Sequence, residues 1–313
     1  MKRFAIFGSG GVGGYFGGRL AQAGHDVTFI ARGSHLAAMR QHGLRVDSIK
    51  GDFQLQAVQA TDDPRQPGVV DVVLLAVKAW QVVEAAQALR PLVGPETLVV
   101  PLQNGVEAPA QLGHILGQEQ VIGGFCRIVS YVVAPGHVRH AGGDPYLAFG
   151  ELDNRLSQRT DQLFQAFAMA KGLTVERPAD IQAAMWGKFL QIASWSGMGA
   201  VTRVPAGVWR ALPGTRHMWQ QAMHEVVAVA RARGVMLDRA TIEQVTGYVD
   251  NLPAQATASM QRDILDGRPS ELDSLSGGVV RLGQEAGVAT PTHAFIYHSL
   301  LPLERKARGQ APQ

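Results

Sequence analysis

Residues 4–20 read FAIFGSGGVGGYFGGRL, and their glycines pose the first question about this chain. A flexible linker would be polar, and this stretch is not. Its opening is an apolar run suited to a buried strand. Its continuation, GGYFGGRLAQAG, reads as a helix that ends at Gly24. Between them, Gly8, Ser9, Gly10, Gly11, Val12 and Gly13 satisfy the spacing G-x-G-x-x-G, after a strand and at a helix start, as that motif requires. Gly8 is expected to make the tight turn. Gly10 should let the backbone approach a pyrophosphate, and Gly13 should let the helix pack closely on the strand. The helix N-terminus offers free N–H groups and a positive dipole end to phosphates.

Outward from this stretch, the first half alternates between strand and helix patterns. Strands are predicted at Val27–Ala31, at Asp71–Val77 and at the start of TLVVPLQNG (97–105); a helix is predicted over Ala79–Leu89. The apolar, β-branched run at 71–77 suits a strand buried on both faces. Such alternation implies a parallel sheet with helices on both faces. Short strands broken by Pro and Gly in APGHVRHAGGDPYLAFGEL are expected to form an antiparallel hairpin at the edge of that sheet. From about Pro178 the pattern becomes helical, with no convincing strand. In one helix, Trp219, Ala222, Met223, Val226, Val227 and Ala230 fall on a single stripe, with Gly234 as its stop. The expected fold is therefore α/β: a Rossmann-type doubly wound sheet over 1–178, then an all-helical domain over 179–313. The tail ERKARGQAPQ (304–313) is expected to fray.

The 313 residues are 46% hydrophobic and 18% charged, with a formal net charge of +3 and no long basic runs, so nucleic acid and membrane surfaces are not expected partners. Glycines interrupt the N-terminal apolar run before it reaches signal-peptide length, and no apolar run reaches bilayer length. A cytoplasmic protein is expected. The single cysteine, Cys126, excludes an intrachain disulfide and reads as a small buried residue. No Y-x-x-x-K pair and no Cys/His cluster for a catalytic zinc are present, so no metal is expected. The residues do not set the oligomeric state, and a homodimer is compatible with them.

The end of the second strand bears on cofactor choice. Asp26 stands at its start, the wrong end for a ribose contact, whereas Arg32 follows its end, which favours the 2′-phosphate of NADP(H). A solvated surface arginine is the alternative. Lys78 and Asn104 follow predicted strands at their carboxyl ends, where such sheets bind ligands. Taken alone, they also read as a strand-end charge and a turn-former before Gly105. Lys188, in MWGKFL, also reads as a lysine snorkelling from a helix flank. Glu271 also reads as a helix-start charge.

The pieces GSGGVGG, VKAWQV, LQNGVE, PGHVRH, WGKF, SMQRDILDGRPSELDSLSG and GVATPTH, in this order and spacing, make the chain resemble the ketopantoate reductase (2-dehydropantoate 2-reductase) family along its whole length. The resemblance implies an NADPH-dependent reductase of a small 2-oxo acid. Its default reaction is ketopantoate to pantoate, in pantothenate biosynthesis. Lys188 then matches the proton donor, Lys78 and Asn104 match residues near the nicotinamide end, Ser259 matches a substrate contact, and Glu271 matches a ribose-binding residue. The chemistry is coherent. Hydride delivered to a C2 carbonyl creates an alkoxide, and a partly buried lysine can both stabilise and protonate it.

Family asparagines are replaced here by Ile192 and Ser196, one and two helical turns after Lys188, and by Ala206 and Ala256. If Lys188 lines the substrate side of its helix, Ile192 and Ser196 are expected to line it too, giving a less polar wall. Arg203 or Arg210 would then supply the grip on the substrate carboxylate. Two alternatives follow: a paralogous reductase of a more apolar 2-oxo acid, and a non-catalytic NADP(H)-binding sensor, which has no need of Lys188.

Overall fold

A computed structural model describes residues 1–310 of the chain. In chain order the elements are β1 (Arg3–Phe7), α1 (Gly11–Gln22), β2 (Asp26–Ile30), α2 (Gly33–His42), β3 (Leu44–Ser48), β4 (Phe53–Leu55), β5 (Gln59–Thr61) and β6 (Val72–Leu75). There follow α3 (Val82–Leu89), β7 (Leu98–Pro101), α4 (Ala108–Leu116), β8 (Gly123–Ala134), β9 (His137–Gly150), α5 (Gln158–Ala168) and β10 (Thr174–Glu176). The rest is helical: α6 (Ile181–Thr202), α7 (Ala206–Trp209), α8 (Pro213–Ala232), α9 (Arg239–Asp250), α10 (Ser259–Leu265), α11 (Ser276–Glu285) and α12 (Pro291–Ala307). The chain divides into two compact units. The first holds Met1–Gln103 and Ala108–Ile181; the second holds Asn104–Glu107 and the chain from Gln182 onward. The first stretch of the chain is thus not contiguous: four residues of the loop between β7 and α4 belong with the helices.

The first unit is built on a five-stranded parallel sheet, ordered β5-β2-β1-β6-β7. Side chains alternate between its two faces, as the two-residue period of a strand requires. Phe4 and Ile6 join one apolar cluster with Tyr15 and Phe16 of α1, whereas Ala5 and Phe7 join another with Val82, Ala86 and Leu89 of α3. Both faces are therefore covered, which is why β6 reads as the unbroken apolar run Val72–Leu75. The predicted helix over 79–89 opens as a 3-10 turn at Ala79–Gln81 before α3 begins.

The short strands expected to form a hairpin at the edge of this sheet, within 134–152, are instead one long strand, β9, which pairs with the preceding β8 in a second five-stranded sheet, ordered β10-β9-β3-β4, with β8 on β9. The 14-residue β9 pairs antiparallel with β8 and parallel with both β3 and β10. Its partners lie too far along the chain for a local pattern to reveal. Helix α1 packs against both sheets, and its glycines permit this. A Cβ at Gly17 would lie 2.6 Å from Ile6 Cγ1 and 2.7 Å from Phe29 Cε1 of the first sheet. On the opposite side, a Cβ at Gly14 would lie 2.8 Å from Val138 Cγ2, and one at Gly18 would lie 2.8 Å from Phe53 of the second. Cys126 is buried, and its thiol donates to Leu102 O at 3.7 Å.

The second unit packs around Trp209 and Trp219, whose rings meet edge-on at 5.5 Å, with Met223, Val226, Val249, Leu272 and Ile296. The expected stripe on α8 is buried at Trp219, Ala222, Met223, Val226 and Ala230, whereas Val227 is only partly buried. Glu225, also buried on α8, caps α12 by accepting the N–H groups of Thr292 (2.7 Å) and His293 (2.9 Å). The sequence TPTH is thus a helix start, with Thr290 as N-cap and Pro291 in the first turn. The tail expected to fray is helical through Ala307. Glu304 is buried and accepts the Ser270 N–H at 3.0 Å, and Arg308 closes on it at 2.6 Å. The last three residues of that expected tail, 311–313, lie outside the described residues.

Candidate active site

In the first unit, the glycine turn separates into residues that build it and one that faces open space. Gly8 has φ +96°, the left-handed region that glycine alone enters without strain, and a Cβ there would lie 2.9 Å from the backbone of Ala76 and Val77 at the end of β6. A Cβ at Gly13 would lie 2.1 Å from Gly8 O, and one at Gly11 would lie 2.4 Å from Ser130 O. At Gly10 a Cβ would meet nothing within 4 Å. Gly10 is the N-cap of α1, which has no side-chain cap and no acidic residue in its first turn. An uncapped helix start beside an open glycine is a cradle for a diphosphate, so the residues present fit a dinucleotide.

Ser9 and Val12 have other tasks. The Ser9 hydroxyl is buried and donates to Ile30 O at 3.0 Å, and Val12 packs on the apolar core. His35 was not singled out in the sequence. Its Nε2 meets Ser9 O at 2.8 Å and its Nδ1 accepts the Gly136 N–H at 3.1 Å, so it ties the glycine turn to the β8–β9 turn. Burial lowers its pKa from 6.5, partly offset by the bond to Ser9. Its proton therefore belongs on Nε2, facing the carbonyl.

Arg32 is the N-cap residue of α2 at the end of β2, and its exposed guanidinium lies 3.9 Å from Glu84. Lys78 is exposed just beyond β6, with Nζ 5.7 Å from the Trp80 ring centroid. Gln103, a further residue missed in the sequence, is buried and donates to Leu75 O (2.8 Å) and Val77 O (3.1 Å), fixing the backbone that carries Lys78. Its Oε1 is buried without a partner.

In the second unit, Asn104 and Glu271 meet directly. The Asn104 amide donates to Glu271 Oε2 at 2.8 Å, and Glu271 is only 5% exposed. Lys188 is half-buried on α6, next to the buried residues Met185, Trp186 and Phe189. Ile192, one turn later, is partly buried and packs against the helical core. Ser196 does not share that placement. It is fully buried, its hydroxyl donates to Ile192 O of its own helix, and Met260 Sδ lies 4.0 Å away. Each step of four residues rotates an α-helix position by about 40°, so the second step carries Ser196 into the core. Ser259 opens α10 and is partly exposed. Ala206 and Ala256 are joined by a backbone hydrogen bond of 3.0 Å. Arg210 Nη1 donates to Val249 O near the C-terminal end of α9, and Arg203 is exposed.

The family models for Ketopantoate reductase PanE/ApbA match this chain over residues 4–154 and, for the C-terminal part, 180–304. The chain belongs to the ketopantoate reductase family. It is an oxidoreductase, and the family's members are NAD(P)-dependent. The 2-dehydropantoate 2-reductase of Nostoc sp. is 31% identical to it over 98% of this chain and 97% of that protein. Uncharacterized oxidoreductase YkpB of Bacillus subtilis is also 31% identical, over 96% and 99% of the two chains. A PanE/ApbA family ketopantoate reductase from Ralstonia eutropha JMP134 shares the fold with a TM-score of 0.88 at 33% identity, covering 98% of this chain and 99% of that one. No helix among the described residues is long and apolar enough to cross a membrane, and no cluster of His, Cys, Asp or Glu among them is arranged to hold a metal ion.

Proposed function

We propose that this ketopantoate reductase homologue reduces a 2-oxo acid to the 2-hydroxy acid with NADPH, ketopantoate being the reference substrate. The observation that carries this reading is Lys188, half-buried beside Trp186 and Phe189 on α6, in the unit where Asn104 and Glu271 are already paired. When bound, a reduced nicotinamide supplies hydride to C2. Lys188 holds the substrate carbonyl oxygen through its ammonium group and delivers a proton to it as negative charge develops. Glu271 accepts from a ribose hydroxyl while Asn104 fixes its carboxylate. The uncapped start of α1 receives the diphosphate at Gly10. Arg32 pairs with the 2′-phosphate. Lys188→Ala should lower kcat by roughly a hundredfold or more, the scale of losing a general acid, while the NADPH Kd changes little. Turnover at the unsubstituted rate would remove Lys188 from the reaction.

Ile192 favours a more specific reading. An alkyl side chain beside Lys188 cannot pair with the hydroxyl of ketopantoate, and an unmatched polar group costs about 1–3 kcal/mol to desolvate. We therefore expect higher kcat/KM for a 2-oxo acid that lacks the hydroxyl. Ile192→Asn should shift the ratio toward ketopantoate. A strong preference for ketopantoate in the unsubstituted protein would refute this reading.

A further inference from the structure

The two segments that bring Asn104 and Glu271 together are fastened by a third residue. Arg281, on α11, reaches both segments. Its Nη2 lies 2.8 Å from Glu107 Oε2, three residues after Asn104. Its Nη1 lies 3.0 Å from Asp273 Oδ1, two residues after Glu271, and its Nη2 also donates to the Asp273 carbonyl at 3.0 Å. Tyr297 adds a bond of 3.0 Å to the same Asp273 oxygen. Within the 104–107 loop, Val106 packs against the helical core. Gly105 turns it at φ +97°, and a Cβ there would lie 3.1 Å from Ser274 O, so the loop lies close against the 271–274 turn. A Cβ at Gly278 would lie 3.2 Å from Glu107 Oε2 and 3.6 Å from Phe189 Cζ, so the ion pair is seated close against α11 at this glycine.

We infer that Arg281 is a positioning residue for the cofactor: by bridging Glu107 and Asp273 it sets the distance between Asn104 and Glu271. The planar guanidinium suits this task, because it offers several N–H groups in fixed directions and can serve two carboxylates at once. A lysine at the same place offers three N–H groups on a flexible stem, without fixed directions. Asn104 acts on the Glu271 carboxylate, so a displaced loop would leave that buried carboxylate without its amide and misdirect the oxygen offered to a ribose hydroxyl. The inference rests on the proposed roles of Asn104 and Glu271.

A double-substitution cycle on the full chain separates the possibilities, read out as NADPH Kd by fluorescence titration and kcat with ketopantoate, with Tm recorded for each variant. Arg281→Met should weaken NADPH by about tenfold, within the range of coupling between residues of one network. In an Asn104→Ala background the same substitution should change Kd by less than about twofold, because the residue it acts through is gone. Arg281→Lys should recover part of the loss. Glu107→Gln should reproduce the effect, and it serves as the test if Arg281→Met does not fold. Effects of Arg281→Met and Asn104→Ala that simply multiply would overturn the positioning role and leave the role of Asn104 intact. An Asn104→Ala variant with unchanged Kd and kcat would overturn the role of Asn104, and that of Arg281 with it.

Discussion

Gly10 and Gly13 belong to the same motif, and their surroundings assign them opposite consequences. Alanine at Gly10 meets nothing within 4 Å and suits the backbone there, whose φ is −72°. Gly10→Ala should therefore cost less than about 1 kcal/mol of stability, the scale of an altered N-cap, while weakening NADPH binding. Gly13→Ala drives a methyl group into Gly8 O and should cost about 1–3 kcal/mol, the scale of overpacking. Urea unfolding and cofactor titration on both variants check this; equal stability losses would show that the turn yields at both places. Arg32 should set cofactor preference, since a guanidinium can bind the 2′-phosphate by paired charge-assisted bonds. Arg32→Ala should weaken NADPH much more than NADH, and equal affinity of the unsubstituted protein for both cofactors would count against it. The glycine turn was legible in the sequence because its residues lie in one short contiguous motif. The sequence did not mark His35 or Gln103, whose roles rest on carbonyls from distant segments.

Helix α12 begins among groups that make it sensitive to acid. His293 is fully buried. Its Nε2 meets Ala222 O at 3.1 Å and its Nδ1 lies 3.5 Å from the Ser276 hydroxyl, with the Glu225 carboxylate on its own backbone N–H. Desolvation pulls its pKa down from 6.5 to about 4, against a small upward pull from the Ala222 carbonyl. Above pH 6.5 the imidazole is neutral in both folded and unfolded chains. As pH falls toward 4 the unfolded chain binds a proton that the folded chain refuses, so stability declines across that window. The loss should approach about 3 kcal/mol at its lower end. His35 contributes in the same direction. Carboxylates held below their ordinary range, such as Asp47 at about 2 beside Arg45, act at lower pH. Urea unfolding at pH 7, 6, 5 and 4 should show a slope that His293→Gln reduces, and an unchanged slope in that variant would exclude His293 as its source. At this scale the sequence conveyed α8 as a helix by its apolar stripe. It could not convey that Glu225, in the middle of α8, caps the start of another.

Across the whole molecule, the legible parts were those whose burial leaves a local signature. Strands covered on both faces, such as Val72–Leu75, read as apolar runs, and the helical half reads by its stripes. The second sheet was missed because its shorter strands are brief and mixed in polarity, and their partners are distant: Arg45 of β3 stands opposite His137 of β9. The pairing of Asn104 with Glu271 had no local trace either. The family resemblance supplied both residues, but not their mutual hydrogen bond or the arginine that frames it.

The loop at 104–107 bears on how such a chain can be recombined. Because these four residues lie with the helices, the chain passes between the two units three times, at 103/104, 107/108 and 181/182. A gene fusion that exchanged everything before residue 179 for the equivalent from a relative would also exchange Asn104 and Glu107 while keeping Glu271, Asp273 and Arg281. A chimaera of that kind takes the two sides of the Asn104–Glu271 and Glu107–Arg281 contacts from different parents. Transplanting the first half together with positions 271, 273 and 281 is the graft that keeps those partners together.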